Sequence, residues 1–211
     1  MKLPKKSKIL SISPEKNSTY KITTSLGIEF RVPEELLLKM SLFEGGEITD
    51  SDIDELKASK DYFKVRNMAL TLLEYRMRSK KELESKLCNK GINKNTIFKV
   101  IEELEDKGWV DDEKFCLAFS RDQINRNSIG PIALKYKLNK HIDSFDLIEE
   151  VLSKVYFELS VENIIMNVLV KHSPEEIKSN ETLRRKIINR LKRKGHYWQD
   201  IDETLSKYLN S

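Results

Sequence analysis

From Ile9 to Val32 apolar and polar positions alternate with a period of two. Ile9 and Ser11 oppose Leu10 and Ile12, Tyr20, Ile22 and Thr24 share one side of a second run, and Ile28, Phe30 and Val32 one side of a third. Three short strands are predicted. Pro14, Glu15, Lys16 and Asn17 read as a loop, and Ser25, Leu26 and Gly27 as a tight hairpin whose glycine takes the positive φ. Pro33 is expected at the first position of a helix carrying Leu36, Leu37, Leu38 and Met40, with Glu34 and Glu35 in its first turn and Gly45 and Gly46 closing the unit.

Beyond Thr49 the period changes to that of a helix, with no further strand signal. Asp50, Ser51 or Asp52 is expected to cap a short helix bearing Ile53 and Leu56, leading into a long one through Phe63, Val65, Ala69, Leu70, Leu72, Leu73 and Tyr75. Ser79 with Glu82 three residues on reads as a capping box for a helix with Leu83 and Leu87 on one face; Gly91 stops it, and Ile97, Val100, Ile101 and Leu104 mark the next. Two further trios follow. The first is marked by Phe115 to Ile124, by Leu134 and Leu138, and by Leu147 to Val155; the second by Val161 to Leu169, by Leu183 to Leu191, and by Trp198 to Tyr208. A spacing of roughly fifty residues marks tandem units that share apolar surface.

The fold class predicted is mainly α, three tandem three-helix repeats forming an elongated curved rod behind a small N-terminal β-containing module. Its boundaries are 1–49 for the β module with one helix, 50–110 for repeat 1 with its lead-in helix, 111–158 for repeat 2 and 159–211 for repeat 3. Nine helices in one globule is the alternative. The stiffest point should be the joint LEDKGWVDDEKF, where Gly108 stops one helix and Asp111 or Asp112 caps the next, with Trp109 and Val110 buried between them. Adjacent carboxylates can also bind a metal, but no His, Glu or third Asp stands at a matching spacing, and capping is the simpler expectation.

Composition changes the picture in three ways. At 211 residues with 34% charged and 39% hydrophobic, the chain suits several small modules. The net charge of +4 is too mild for a chain that meets DNA over its whole surface, so placement of charge matters more than its sum. Cys88 and Cys116 are too few for a disulfide framework and fall in apolar helical patterns, as small buried hydrophobes do in a reducing compartment. With a basic but not apolar start, MKLPKKSKIL, and no run of membrane-spanning length, a soluble cytoplasmic protein is expected.

The clearest candidate chemistry is a basic cluster, Arg184, Arg185, Lys186, Arg190, Lys192, Arg193 and Lys194, on the helix before Gly195. One face of that helix is cationic and the other carries Leu183, Ile187 and Leu191, so it can meet phosphate or an acidic protein, or simply be a solvated face. A weaker group, Arg121, Arg126, Lys135, Lys137 and Lys140, flanks the turn at Gly130 and Pro131. Tyr197 and Trp198 read as core and helix-start residues before base-stacking platforms. No phosphate-cradling glycine loop, nucleophile elbow, HExxH or CxxC is present, and His141, His172 and His196 read as surface or helix-end residues. No enzyme, cofactor or metal is expected.

Taken in order, Glu82, Leu83, Lys86, Leu87, Lys90, Gly91 and Ile92, then Gly108, Trp109, Val110, Asp111, Asp112, Phe115 and Ala118, then Gly130 and Pro131, then Ile187, Leu191, Arg193, Lys194, Gly195, Tyr197 and Ile201, resemble the RecX family of recombinase regulators. The resemblance spans roughly residues 66 to 209. His141 stands where the family's second repeat usually has glycine, and Lys137 replaces a common glutamate. The strands of residues 9 to 32 look like the N-terminal part that some members carry. The resemblance implies an all-helical, three-repeat protein with no catalytic residue. It would bind the RecA recombinase filament and modulate, most simply inhibit, ATP hydrolysis, strand exchange and repressor cleavage in DNA repair, homologous recombination and the SOS response. The arginine-rich helix prompts the alternative, a helical protein that binds single- or double-stranded DNA without RecA. A monomer that touches no membrane is expected in either case.

Overall fold

The structure is a computed structural model that describes residues 6–15 and 18–210. The basic start at residues 1–5 and the loop expected at Lys16 and Asn17 lie outside the described residues. Four strands and eleven helices are present among those described. They divide into two compact units, Met1–Tyr75 with Lys86–Glu103, and Arg76–Ser85 with Leu104–Ser211.

In the first unit the period-two runs become β1 (Lys6–Pro14), β2 (Thr19–Thr24) and β3 (Glu29–Pro33), joined by a strand not expected from sequence, β4 (Glu47–Thr49). The sheet is antiparallel with order β3-β2-β1-β4. A bulge between Ile9 and Ser11 breaks the alternation of β1, so that Leu10 and Ser11 are both exposed and Ile12 packs against the core on the side of buried Ile9. Gly27 holds φ +73 in the expected hairpin. Gly45 and Gly46 do not end the unit: the Gly45 N–H donates to the Ile9 carbonyl (2.8 Å) and returns the chain to β1, where β4 pairs. Pro33 likewise differs from expectation. It is the last residue of β3 and the cap before α1 (Glu34–Lys39), because its extended ψ of 150° suits a strand.

The short helix at Ile53 and the long one beyond merge into one 26-residue helix, α2 (Asp50–Tyr75). Its start is a reciprocal box one residue earlier than expected. Asp52 Oδ2 accepts from the Thr49 N–H (2.8 Å), and Thr49 Oγ1 from the Asp52 N–H (3.2 Å). Helix α2 covers the inner face of the sheet, and Ile53, Leu56 and Phe63 complete a core with Ile9, Ile22, Val32, Leu36 and Ile48. Tyr75, expected on the apolar face, is exposed at the helix end. From α3 (Lys80–Cys88) and α4 (Lys94–Asp106), the stretch Lys86–Glu103 adds buried Leu87, Ile97, Val100 and Ile101 to this unit. Arg66 bridges Glu35 (2.9 Å) and Glu103 (3.2 Å), and the Tyr62 hydroxyl donates to Glu103.

In the second unit α5 (Asp112–Asn127), α6 (Pro131–Leu138) and α7 (Phe145–Leu159) surround Phe115, Cys116, Ile124, Leu134, Leu138, Ile148, Val151 and Val155. The chain continues through α8 (Val161–Leu169), α9 (Pro174–Ser179), α10 (Glu181–Arg193) and α11 (Trp198–Asn210) around Ile165, Leu169, Ile177, Ile187, Leu191, Ile201 and Leu205. Helix α9 was not anticipated, although Ser173 as cap, Pro174 at the first position and Glu175 and Glu176 in the first turn spell a helix start. Its Ile177 is fully buried. No helix among the described residues is long and apolar enough to cross a membrane.

Candidate functional site

The joint after Leu104 is built by backbone groups. The Gly108 N–H donates to the Glu105 carbonyl (2.8 Å) and the Trp109 N–H to the Leu104 carbonyl (2.8 Å), with Gly108 at φ +70. Val110 is buried as expected, but Trp109 is 58% exposed, so the expectation that both are buried is corrected. The turn directs adjacent side chains oppositely, and only Val110 points inward. Asp111 caps α5, accepting from the Lys114 N–H (2.9 Å); that hydrogen bond and the Lys114 side chain hold its carboxyl below the usual range. Asp112 acts elsewhere: its Oδ1 accepts from the Lys80 N–H (2.8 Å) at the start of α3. Burial outweighs that bond and pushes the Asp112 carboxyl up.

The Ser79 capping box forms only in part. Ser79 Oγ accepts from the Glu82 N–H (3.2 Å), while the Glu82 carboxylate takes Arg76 (2.8 Å) and His141 Nδ1 (2.8 Å). His141 packs on Phe115 and Phe119, with ring centroids 5.7 and 5.1 Å away, so it is a half-buried partner and not a surface residue.

A second elbow, between α10 and α11, docks on the turn between α5 and α6. The Gly130 N–H donates to the Lys194 carbonyl (2.8 Å) and the Ile132 N–H to the Gly195 carbonyl (3.0 Å). Gly195 holds φ +83, and a side chain at Gly130 would stand 2.4 Å from the His196 nitrogen. His196, expected as a surface or helix-end residue, stands between the end of α10 and the start of α11 but is only 3% exposed, with Nε2 3.0 Å from the Ser128 carbonyl. A carbonyl only accepts, so Nε2 carries the proton. A second proton would sit on buried Nδ1, which has no acceptor among the described residues, and burial lowers the pKa accordingly.

The elbow fixes the direction of the basic helix. Asn180 caps α10 by accepting from the Leu183 N–H (2.9 Å), and Ile187 and Leu191 are buried, which turns Lys186, Arg190, Lys192 and Arg193 outward around a shallow open depression with Asn189. Arg184 is exposed one turn earlier, and Arg185 pairs with Glu181 (3.0 Å) on the same helix. Lys194 is drawn away from this face to donate to the Asn127 carbonyl, and burial lowers its pKa. Arg184, Lys186, Arg190, Lys192 and Arg193 have no acidic partner among the described residues. Water sustains this like charge, and the negative end of the helix adds to it for Arg190, Lys192 and Arg193 in the last turn.

Tyr197 and Trp198 complete the surface. Both are about half exposed, 52% and 50%, which corrects the expectation of core residues while keeping Trp198 as the first residue of α11. Lys192 Nζ lies 4.4 Å from the Trp198 ring centroid, a cation–π contact that sets an aromatic face beside the cations. Periodicity missed this exposure because Trp198 shares the spacing of Ile201 and Leu205, and only the folded elbow leaves half of its side chain open to solvent.

The second basic group is supplied with partners. Arg121 pairs with Glu158 (2.8 Å), Arg126 with Asp122 (2.7 Å) and Lys135 with Glu149, while Lys137 donates to Gln123 (2.7 Å). Lys135 and Lys140 lie 4.4 and 4.6 Å from the ring centroids of Phe145 and Tyr136. The structure does not gather these residues into an open cationic face.

Comparison with known proteins matches the same regions. A family model described as RecX, first three-helix domain, covers residues 66–104. Regulatory protein RecX of Bacillus subtilis is 31% identical over 202 residues, spanning 94% of this chain and 76% of that protein. The Bacillus pumilus protein of the same name is 30% identical over 201 residues with the same coverage. A crystal structure of regulatory protein RecX superposes with a TM-score of 0.78 over 95% of this chain and 99% of that one, at 20% identity, a likeness of fold.

Proposed function

The chain belongs to the RecX family of regulatory proteins, and from that premise we propose that it binds the filament of the RecA recombinase and restrains its ATP hydrolysis, strand exchange and stimulation of repressor cleavage. Its relatives are named as regulators and not as enzymes, and the role proposed is non-catalytic. The observation that carries the reading is the α10 face, where Lys186, Arg190, Lys192 and Arg193 surround one depression without acidic partners among the described residues. A filament of recombinase on DNA offers repeated acidic and phosphate groups, and contacts repeated along it add through effective concentration.

The test is the rate of RecA ATP hydrolysis on single-stranded DNA as the protein is titrated in, at about 50 and 200 mM salt. Inhibition well below one protein per recombinase is expected, weaker at the higher salt. The triple variant Lys186→Glu, Arg190→Glu, Arg193→Glu should lose it with an unchanged helical circular dichroism spectrum. No inhibition at any ratio by the folded protein overturns the reading.

The exposed Tyr197 and Trp198 beside the cations favour a second reading, direct binding of single-stranded DNA without the recombinase. That reading requires binding that falls steeply with salt and drops about tenfold for Trp198→Ala, as expected for one lost stacking contact. Steep salt dependence alone, with Trp198 indifferent, would leave a purely electrostatic contact.

A further inference from the structure

Strand β3 is an edge of the sheet. The Thr24 N–H donates to the Ile28 carbonyl (3.0 Å) and the Glu34 N–H to the Ser18 carbonyl (2.9 Å). The register between them makes Ile22–Phe30 and Tyr20–Val32 the hydrogen-bonded pairs. The carbonyls of Glu29 and Arg31 and the amides of both therefore face away from β2, and Pro33 ends the run of donors. An edge of this kind is a template for a further strand.

Beside the edge, between β3 and α2, lies a groove of about 140 Å³ whose floor is Phe30, Val32 and Leu56. Its rim holds four cations, Lys21, Arg31, Lys57 and Lys60, against one carboxylate, Glu29. Lys21 and Arg31 lie on the outer face of the sheet, since they alternate with the inward Ile22, Phe30 and Val32; Lys57 and Lys60 stand on α2, on the inner side. Lys21 pairs with Glu29 (2.7 Å), Arg31 with Glu15 (2.9 Å) and Lys57 with Asp54 (3.5 Å), exposed contacts that exchange at little cost. Lys60 has no acidic partner among the described residues.

We propose that the β3 edge and its groove accept an extended acidic segment of a partner protein by strand addition. The incoming backbone pairs with Glu29 and Arg31, small apolar side chains on its inner face cover Phe30, Val32 and Leu56, and the alternate carboxylates on its outer face meet Lys21 and Arg31, while Lys57 and Lys60 add to the positive field of the rim. Charge selects this occupant. Two copies meeting edge to edge would bring like-charged rims together, and a nucleic acid has no peptide ladder to offer β3. The inference uses no residue of the α10 face and stands or falls apart from the recombinase reading.

The probe is a fluorescein-labelled peptide of alternating aspartate and valine, compared with a peptide of equal charge in which proline replaces each valine. Fluorescence anisotropy with the full chain should show binding of the first and not the second. Hydrogen exchange followed by NMR should slow at Arg31 and Glu29. The double variant Lys21→Glu, Arg31→Glu, which reverses the outer face that the aspartates meet, should weaken binding by about tenfold or more with its circular dichroism unchanged, as expected for loss of two charge contacts. Equal binding of both peptides, unchanged exchange at Arg31, displacement by oligothymidylate with the same protection, or self-association through β3 in sedimentation would each overturn the proposal.

Discussion

Asp111 and Asp112 are neighbours with opposite electrostatics. Asp111 is held below the usual carboxylate range by the Lys114 amide, so its stabilising effect is complete above that range and is lost as pH falls through its folded value. Asp112 is pushed up by burial, so its effect is present in acid and is lost as pH rises through its folded value. Urea midpoints measured against pH should separate them. Asp111→Ala is expected to cost about 1 kcal/mol at neutral pH. Asp112→Asn keeps an oxygen for the Lys80 N–H without a charge to bury, and should gain on the native chain as pH rises from about 4 to about 7. His196 gives a third signature. Its folded pKa lies below the usual 6.5, so stability is lost as pH falls from that value through the folded one, and His196→Gln should remove this limb of the profile. The glycines separate in the same manner. Around Gly108 there is open space, so Gly108→Ala is charged only for the positive φ, about 1 kcal/mol. Gly130→Ala would drive a methyl into the backbone of Gly195 and His196 and should cost about 2 to 3 kcal/mol in thermal or urea unfolding. The Gly-Pro pair was legible as a turn; the second helix end pressed against it was not, since close approach leaves no local pattern.

Elements long enough to show a period were legible. The runs at Tyr20, Ile22 and Thr24 and at Leu183, Ile187 and Leu191 became β2 and α10 because one face of each is buried. Short elements escaped. Strand β4 has three residues and exists through its pairing with β1, and α9 has six and exists through the burial of Ile177. The start of α2 was open among Asp50, Ser51 and Asp52 because all are able caps, and Thr49 was chosen by its place at the end of β4. A prediction follows for its start: Thr49→Val removes one half of the reciprocal box and should cost about 1 kcal/mol, seen as an earlier urea midpoint. Helix α10 marks where sequence reasoning about sites succeeds and stops. Its cations were readable from composition, and their separation into Lys186, Arg190, Lys192 and Arg193 outward, Arg185 on Glu181 and Lys194 on Asn127 was not, since partners lie as far as 67 positions away along the chain.

Across the whole molecule the net charge of +4 conceals its distribution, since most basic side chains near α6 are met by Glu158, Asp122 or Glu149 while those of α10 are not. The two cysteines offer a check on the packed interior. Cys116 is fully buried and burial pushes its thiol up to about 12, whereas Cys88 is partly exposed. A thiol reagent at about pH 8 should modify Cys88 in the folded chain and reach Cys116 only on unfolding, since the thiolate is the nucleophile. Equal rates for both would show a looser second unit than its core implies. The amino-acid sequence by itself determined the helical class, the strand module before it, the stop at Gly108, a cap at Asp111 or Asp112 and the family motifs, because periodicity, caps and turns act over a few residues. Only the tertiary structure decided that Asp112 serves α3, that Trp198 stays at the surface, that His196 is buried and which cations remain without acidic partners. Those outcomes depend on groups brought together from distant parts of the chain, and burial and charge pairing are settled by neighbours in space.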